Sequence, residues 1–273
     1  MNRSSTQKIG YLPNDFPPLG RVILLGFQHV ITMFPATVLV ALLVGFHVST
    51  VLMASGVATI LALLGSRWGI GKFIPLYYGS SFSYIAATLA ITQASYGQVA
   101  PDELIRAAQA GIVVARVINV LVGLLIRFAG GKRMIDRILP PVITGSVAAA
   151  IGFSLGFSAL GMASGACCNA TGDGRWWTVA LVTLFATILF SVYLQGRGFI
   201  GMLPILLGAV TGYLVAIPLG LVDVSLITSA RVFTMPPLTF PDFGSEMALT
   251  AIVSIAVMAI ATVPESTAHL YQI

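Results

Sequence analysis

From about residue 20 onward, apolar residues come in runs of roughly 20, separated by short segments that hold most of the charge. This spacing restricts the fold more than any other feature of the chain. At 1.5 Å per residue, a helix of about 20 residues crosses the hydrocarbon core of a bilayer, which is roughly 30 Å thick. Lipid offers no hydrogen-bond partners, so each run must satisfy its own backbone, and a helix does so. The chain has 273 residues, 57% of them hydrophobic and 8% charged, with a mean hydropathy of +0.96. Soluble domains carry about 25% charged residues. The reading is therefore an all-α polytopic membrane protein.

The runs predict about eight membrane segments, at residues 22–44, 49–65, 80–93, 105–128, 142–160, 177–194, 199–219 and 247–263, the last extending toward His269. Cytoplasmic loops are enriched in Lys and Arg. With eight segments, ten loop and tail cations (Arg3, Lys8, Arg21, Arg67, Lys72, Arg127, Lys132, Arg133, Arg137, Arg197) fall on one side and two, Arg175 and Arg231, on the other. That asymmetry places the N-terminus in the cytoplasm. The formal charge of +5 thus reads as membrane-orienting charge rather than a nucleic-acid surface, and no nucleic-acid partner is expected. The first twenty residues are polar, hold prolines and lack the apolar core of a cleavable signal. The expected division is a cytoplasmic tail at 1–20, a seven-segment unit at 21–220, a proline-containing outer linker at 221–245 and one further segment at 246–273.

The third run is too short. About 14 helical residues rise only about 21 Å, so the preceding stretch Lys72-Phe-Ile-Pro-Leu-Tyr-Tyr-Gly-Ser-Ser81 is expected to enter the membrane as extended backbone, with Gly79, Ser80 and Ser81 opening a half-helix. Non-helical backbone at membrane depth is tolerated where protein or a water-filled cavity satisfies it, and half-helix N-termini of this kind hold polar substrates in transporters. A re-entrant turn without a ligand is the competing reading.

The C-terminal stretch Thr262-Val-Pro-Glu-Ser-Thr-Ala-His-Leu-Tyr271 carries ionisable groups into an apolar run. Glu265 and His269 are spaced i, i+4 and share a helix face. A charge at mid-membrane costs on the order of 2.5–3.5 kcal/mol on insertion scales, which makes such a residue a site candidate. Gln28 and His29 in the first segment read either as site support or as polar glue between helices, and Arg116 and Asn119 in the fourth read either as lining a path or, more simply, as an interhelical pair. His47 reads as a solvated loop residue, and Asn169-Ala-Thr171 matches a glycosylation triplet. The adjacent Cys167 and Cys168 suit neither a disulfide nor a metal site. No metal-ligand spacing such as H-E-x-x-H occurs, so no metal is expected.

Gln28-His29, Phe34-Pro-Ala-Thr-Val-Leu39, Tyr78-Gly-Ser-Ser-Phe82 and Pro264-Glu-Ser-Thr-Ala-His269 resemble, in order and over nearly the whole chain, the nucleobase–ascorbate transporter family, and within it the uracil-transporting branch. The resemblance implies fourteen segments in two inverted repeats of seven, with a short strand before the half-helix in the third segment. On that pattern this chain is the first repeat plus the first helix of the second, and an N-terminal portion of a longer protein. The resemblance further implies that Glu265 bonds the nucleobase edge, that Phe82 lies beside the base with Ser81 at a backbone-contact position, and that His269 bonds Glu265 and helps couple protons to transport. Gly79 and Ser80 sit within the same motif. Pro264 departs from the family pattern and is expected to kink its helix.

A nucleobase suits such a site because its flat face packs on an aromatic ring and its edge alternates donors and acceptors. Burial favours the neutral form of a carboxyl, so proton uptake is expected to accompany substrate binding. The resulting expectation is proton-coupled import of a nucleobase, most simply uracil, with the proton as coupling ion, no other cofactor and no enzymatic activity. A xanthine or urate permease of the same family is one alternative. A non-transporting membrane protein with a structural Glu265–His269 pair is another. Homodimerisation is what the resemblance implies for the full-length form.

Overall fold

The computed structural model describes residues 18–71, 76–168, 170–196, 200–223, 225 and 234–271. Ten α-helices follow one another among these residues: α1 (Leu19–Val44), α2 (Val48–Ile70), α3 (Ile85–Thr92), α4 (Asp102–Phe128), α5 (Lys132–Ile138), α6 (Pro141–Ala163), α7 (Gly174–Tyr193), α8 (Pro204–Ala216), α9 (Glu246–Val257) and α10 (Ala259–Tyr271). A single 3-10 turn, Phe82–Tyr84, leads into α3. Six apolar stretches are long enough to cross a membrane: α1, α2, α4, α6, α7, and α9 continued into α10. The protein is a multi-pass, all-helical membrane protein.

Each of the eight predicted runs contains helix, with two differences. The seventh, expected to span 199–219, is a 3-10 turn at Ile200–Met202 followed by only thirteen residues of α8. Pro204 sits at the first turn of α8, where a missing N–H costs nothing. The basic stretch between the fourth and fifth segments, read as loop, contains the short helix α5.

The third segment is a half-helix as expected. Phe82–Thr92 is an apolar helix of less than crossing length, and it stops at Gln93, whose φ of 49° is left-handed and whose N–H bonds the Leu89 carbonyl. The expected strand before it is not formed. Among the described residues there is no strand, and 76–81 carries no regular secondary structure, with Ser81 extended at φ −89° and ψ 133°. Its neighbours α1 and α2 are helices whose backbones are already saturated, so only their side chains can bond it. Tyr78 donates its N–H to Thr59 Oγ1 at 3.0 Å, and the Tyr77 hydroxyl meets Thr37 Oγ1 at 3.0 Å. The part of this stretch at 72–75 lies outside the described residues.

The packing that positions the site is built on small residues. On α4, Ala107, Ala108, Ala110 and Ala115 are fully buried, and α9 meets them with Ala251 and Ile255. A Cβ on Gly111 would lie 2.6 Å from the Ala251 carbonyl oxygen, so the two helix backbones touch there. Close approach of this kind is how helices associate where lipid and protein are equally apolar. The α7–α8 pair uses the same device, with Gly208 against Thr187 and Gly212 against Thr183. Both threonine hydroxyls bond carbonyls of their own helix, Val179 at 2.7 Å and Thr183 at 2.8 Å, so no polar group is stranded at the contact.

At one end of the molecule, residues 234–245 lie across the starts of α2 and α4. Thr50 Oγ1 donates to the Pro237 carbonyl at 2.6 Å, Gln109 Nε2 to Thr239 Oγ1 at 2.7 Å and Arg106 Nε to the Phe240 carbonyl at 3.2 Å. His47, read from the sequence as merely solvated, stands at the N-cap of α2 with Nε2 3.6 Å from Asp102 Oδ1 at the start of α4.

Candidate functional site

Helix α9 ends at Val257, and α10 begins at Ala259 with its first turn re-formed by Thr262 N–H to the Met258 carbonyl at 3.1 Å. Pro264 follows inside α10. Having no N–H, it leaves the carbonyl four residues earlier without its helical donor. Glu265 comes directly after this weakened turn.

Its carboxylate meets the start of the half-helix. Ser81 Oγ donates to Glu265 Oε2 at 2.6 Å, and Ser83 Oγ donates to the same oxygen at 2.9 Å. The two serine hydroxyls are themselves 2.8 Å apart. Residues 182 and 184 positions apart in sequence thus form one cluster. Ser83 is buried and Glu265 half-buried. Glu265 Oε1 has no hydrogen bond to any described residue, so one face of the carboxyl group is free to accept from, or donate to, a ligand.

A second set of contacts ties the same elements together one turn away. Asn119 Nδ2 on α4 donates to Thr262 Oγ1 at 2.9 Å and to the Tyr84 hydroxyl at 3.2 Å. The Tyr84 and Thr262 hydroxyls lie 3.3 Å apart, and Thr262 Oγ1 donates to the Ala259 carbonyl at 2.9 Å. The Arg116 guanidinium rests over the Tyr84 ring, 5.1 Å from its centroid, a cation–π arrangement. Asn119 thus bonds between helices, whereas Arg116 both stacks on Tyr84 and lines the neighbouring cavity.

Phe82 is half-buried against the cluster of Val40, Leu43, Val44 and Ile85. Gly79, Ser80 and Ser81 line a cavity of about 390 Å³, together with Ser55, Gln109 and Arg116. Ser81 is the residue shared by the cavity and the Glu265 cluster. Gln28 is buried on α1. His29 makes an edge contact with the Tyr77 ring, centroids 5.9 Å apart and planes at 68°. Among the described residues no hydrogen bond joins Gln28 or His29 to Glu265; His29 instead braces the extended segment. The backbone of His269 continues α10, and its side chain lies outside the described residues, as does Asn169.

Sequence reasoning missed Ser83, Tyr84 and Thr262. The signal for Ser83 was present: Ser81-Phe-Ser83 at the mouth of a half-helix places two hydroxyls two residues apart, the spacing that shares a side where backbone is extended. Tyr84 and Thr262 carry no comparable local mark.

The model of the Permease family (Xan_ur_permease) matches residues 20–273. Among curated proteins, the chain is 37% identical to the uracil permease of Bacillus caldolyticus over 261 residues, covering 93% of this chain and 56% of that protein. It is 34% identical to the uracil permease of Escherichia coli (strain K12) over 258 residues, covering 94% of this chain and 56% of that protein. Against the uracil permease of Bacillus subtilis (strain 168) it is 32% identical over 270 residues, covering 97% of this chain and 59% of that protein. The chain thus spans a little over half the length of these curated relatives. With a match that begins at the foot of α1 and runs through α10, the chain belongs to the Permease family.

Proposed function

We propose that this chain supplies the first part of a proton-coupled nucleobase importer, with uracil as substrate. The observation that carries this reading is the Glu265 carboxyl group, held through one oxygen by two hydroxyls at the mouth of the half-helix, with its other oxygen not bonded to any described residue. That other oxygen suits an N–H of a pyrimidine edge, and Phe82, between the two serines in sequence, offers an aromatic face for the ring. The names of the relatives support uracil over other bases.

The serine contacts also support a coupled proton. Three oxygens, Ser81 Oγ, Ser83 Oγ and Glu265 Oε2, are separated by 2.6, 2.8 and 2.9 Å. The serines bring two protons, enough to bond an ionised carboxylate twice. Filling all three contacts takes one more, which a protonated Glu265 supplies. The cluster therefore accepts either state of the carboxyl without rearrangement, and His269, four residues on, is the proposed relay partner. In this reading the N-terminus is cytoplasmic, and the longer form pairs as a homodimer.

The test is uptake of radiolabelled uracil into vesicles by this chain and by a form extended to the length of its relatives, each with and without Glu265→Gln. Uptake by the extended form that an uncoupler dissipates and Glu265→Gln abolishes is the expected result. Uptake of xanthine or urate in place of uracil would reassign the substrate. A folded extended form that carries no nucleobase would reduce the Glu265 cluster to helix packing.

A further inference from the structure

We infer that Asn119 is a positioning residue for Glu265: by tying Tyr84 to Thr262 it sets the spacing between the serine hydroxyls of the half-helix and the carboxyl group. The inference rests on the reading of Glu265 as the substrate-binding carboxyl and adds a residue from a third element to that machinery.

The need for such a residue follows from how α10 is attached. Helix α9 is locked to α4 by backbone contact at Gly111 and by a seam of buried alanines. That seam reaches into α10 only at its first residue, Ala259, past the one-residue turn at Met258. On its other side the turn bearing Glu265 is loosened by Pro264. Between these two weak points lies Thr262, only 1% exposed, whose hydroxyl is bonded by Asn119. Thr262 stands three residues before Glu265, on the same helix face. The half-helix is held from its own side in the same way: Tyr84, 5% exposed, follows directly on Ser83 and takes the other Asn119 N–H. One amide thus ties the residue that follows Ser83 to the residue three positions before Glu265.

The chemistry of the two ties differs in a way that matters. The serine contacts involve an ionisable group that also has to engage substrate, so they must change during a transport cycle. The Asn119 contacts are between neutral groups: its amide N–H groups go to Tyr84 and Thr262, and the Thr262 hydroxyl lies 2.9 Å from the Ala259 carbonyl and 3.3 Å from Asn119 Oδ1 as alternative acceptors. They are indifferent to the protonation of Glu265. A fixed neutral tie beside a variable charged one keeps the carboxyl in register when the variable one opens, which is preorganisation of a binding group by its supporting shell. Arg116 over the Tyr84 ring holds the third member of the node from the cavity side.

The test compares Asn119→Leu, Thr262→Val and the double variant in the form extended to the length of the relatives. The readouts are uracil uptake kinetics and the infrared band of the Glu265 carboxyl group, identified by its loss in Glu265→Gln. Each single variant is expected to raise KM for uracil by roughly tenfold to a hundredfold, the scale of a misplaced binding group, and to shift the frequency of the band. The double variant is expected to be no worse than the poorer single one, since Asn119→Leu already removes the tie that Thr262→Val removes. Thr262→Ser, which keeps the hydroxyl, is expected to restore the KM lost in Thr262→Val. An unmoved carboxyl band in a folded Asn119→Leu or Thr262→Val variant overturns the inference even if uracil is transported. Additive losses in the double variant also overturn it. Absence of uracil uptake by the parent refutes the substrate reading instead, and the band then still decides the positioning role.

Discussion

Glu265 owes its place to the two serines more than to its own helix. Hydrogen bonds contribute about 0.5–1.5 kcal/mol each between neutral groups and about 1.5–3 kcal/mol to a charged one, and Glu265 Oε2 receives two, from Ser81 and Ser83. Ser83→Ala removes the more buried of the two donors and leaves Ser81 Oγ as sole partner. Uracil binding to the purified extended form, followed by scintillation proximity, is expected to weaken by about tenfold, the equivalent of about 1.4 kcal/mol. Unchanged affinity in Ser83→Ala would mean that this hydroxyl only fills space. The pair was partly legible in the sequence. Ser81 stood out through its motif, whereas Ser83 has no role until Glu265, 182 residues away, is brought to it.

Helix α4 is the element on which the others are registered. It presents alanines and Gly111 to α9 and, further along, Asn119 to the 3-10 turn before α3 and to α10. Gly111→Ala places a methyl 2.6 Å from the Ala251 carbonyl oxygen, which forces α4 and α9 apart. Overpacking of this type costs about 1–3 kcal/mol, so the thermal midpoint of the purified protein is expected to fall. Gly123, on the same helix, has nothing within 4 Å of where a Cβ would stand. Gly123→Ala, gaining helix propensity, is expected to leave the midpoint unchanged or raise it. Equal behaviour of the two variants would contradict backbone contact at Gly111. The existence of α4 could be read from its apolar run; that its Gly111 side faces α9 could not.

For the whole molecule, the charge asymmetry of the loops predicts which of its faces lies in the cytoplasm. In a background with Cys167 and Cys168 replaced by serine, single cysteines at two exposed positions test the orientation: Gln98 between α3 and α4, and Arg133 on α5. A membrane-impermeant thiol reagent is expected to label Gln98→Cys from outside intact cells and Arg133→Cys only after permeabilisation. The reverse pattern would put the N-terminus outside and refute the cytoplasmic assignment.

Read alone, the amino-acid sequence reveals the membrane class, the order of the segments and the shortness of the third, because apolar length against bilayer thickness is a one-dimensional property. It also singled out Glu265, since a carboxyl in an apolar run is costly wherever the helix points. The tertiary structure alone decided that Ser83 joins Ser81 at Glu265, that Asn119 binds both Tyr84 and Thr262, that His29 rests on Tyr77, and that the stretch before the half-helix is braced by side chains rather than by a strand. The reason is the solvent. In water a helix advertises its buried face by an apolar stripe, but in lipid the outward face is apolar too, and the rotation of each helix is hidden from its sequence. Rotation and register choose which polar atoms meet across helices, and those meetings make the site.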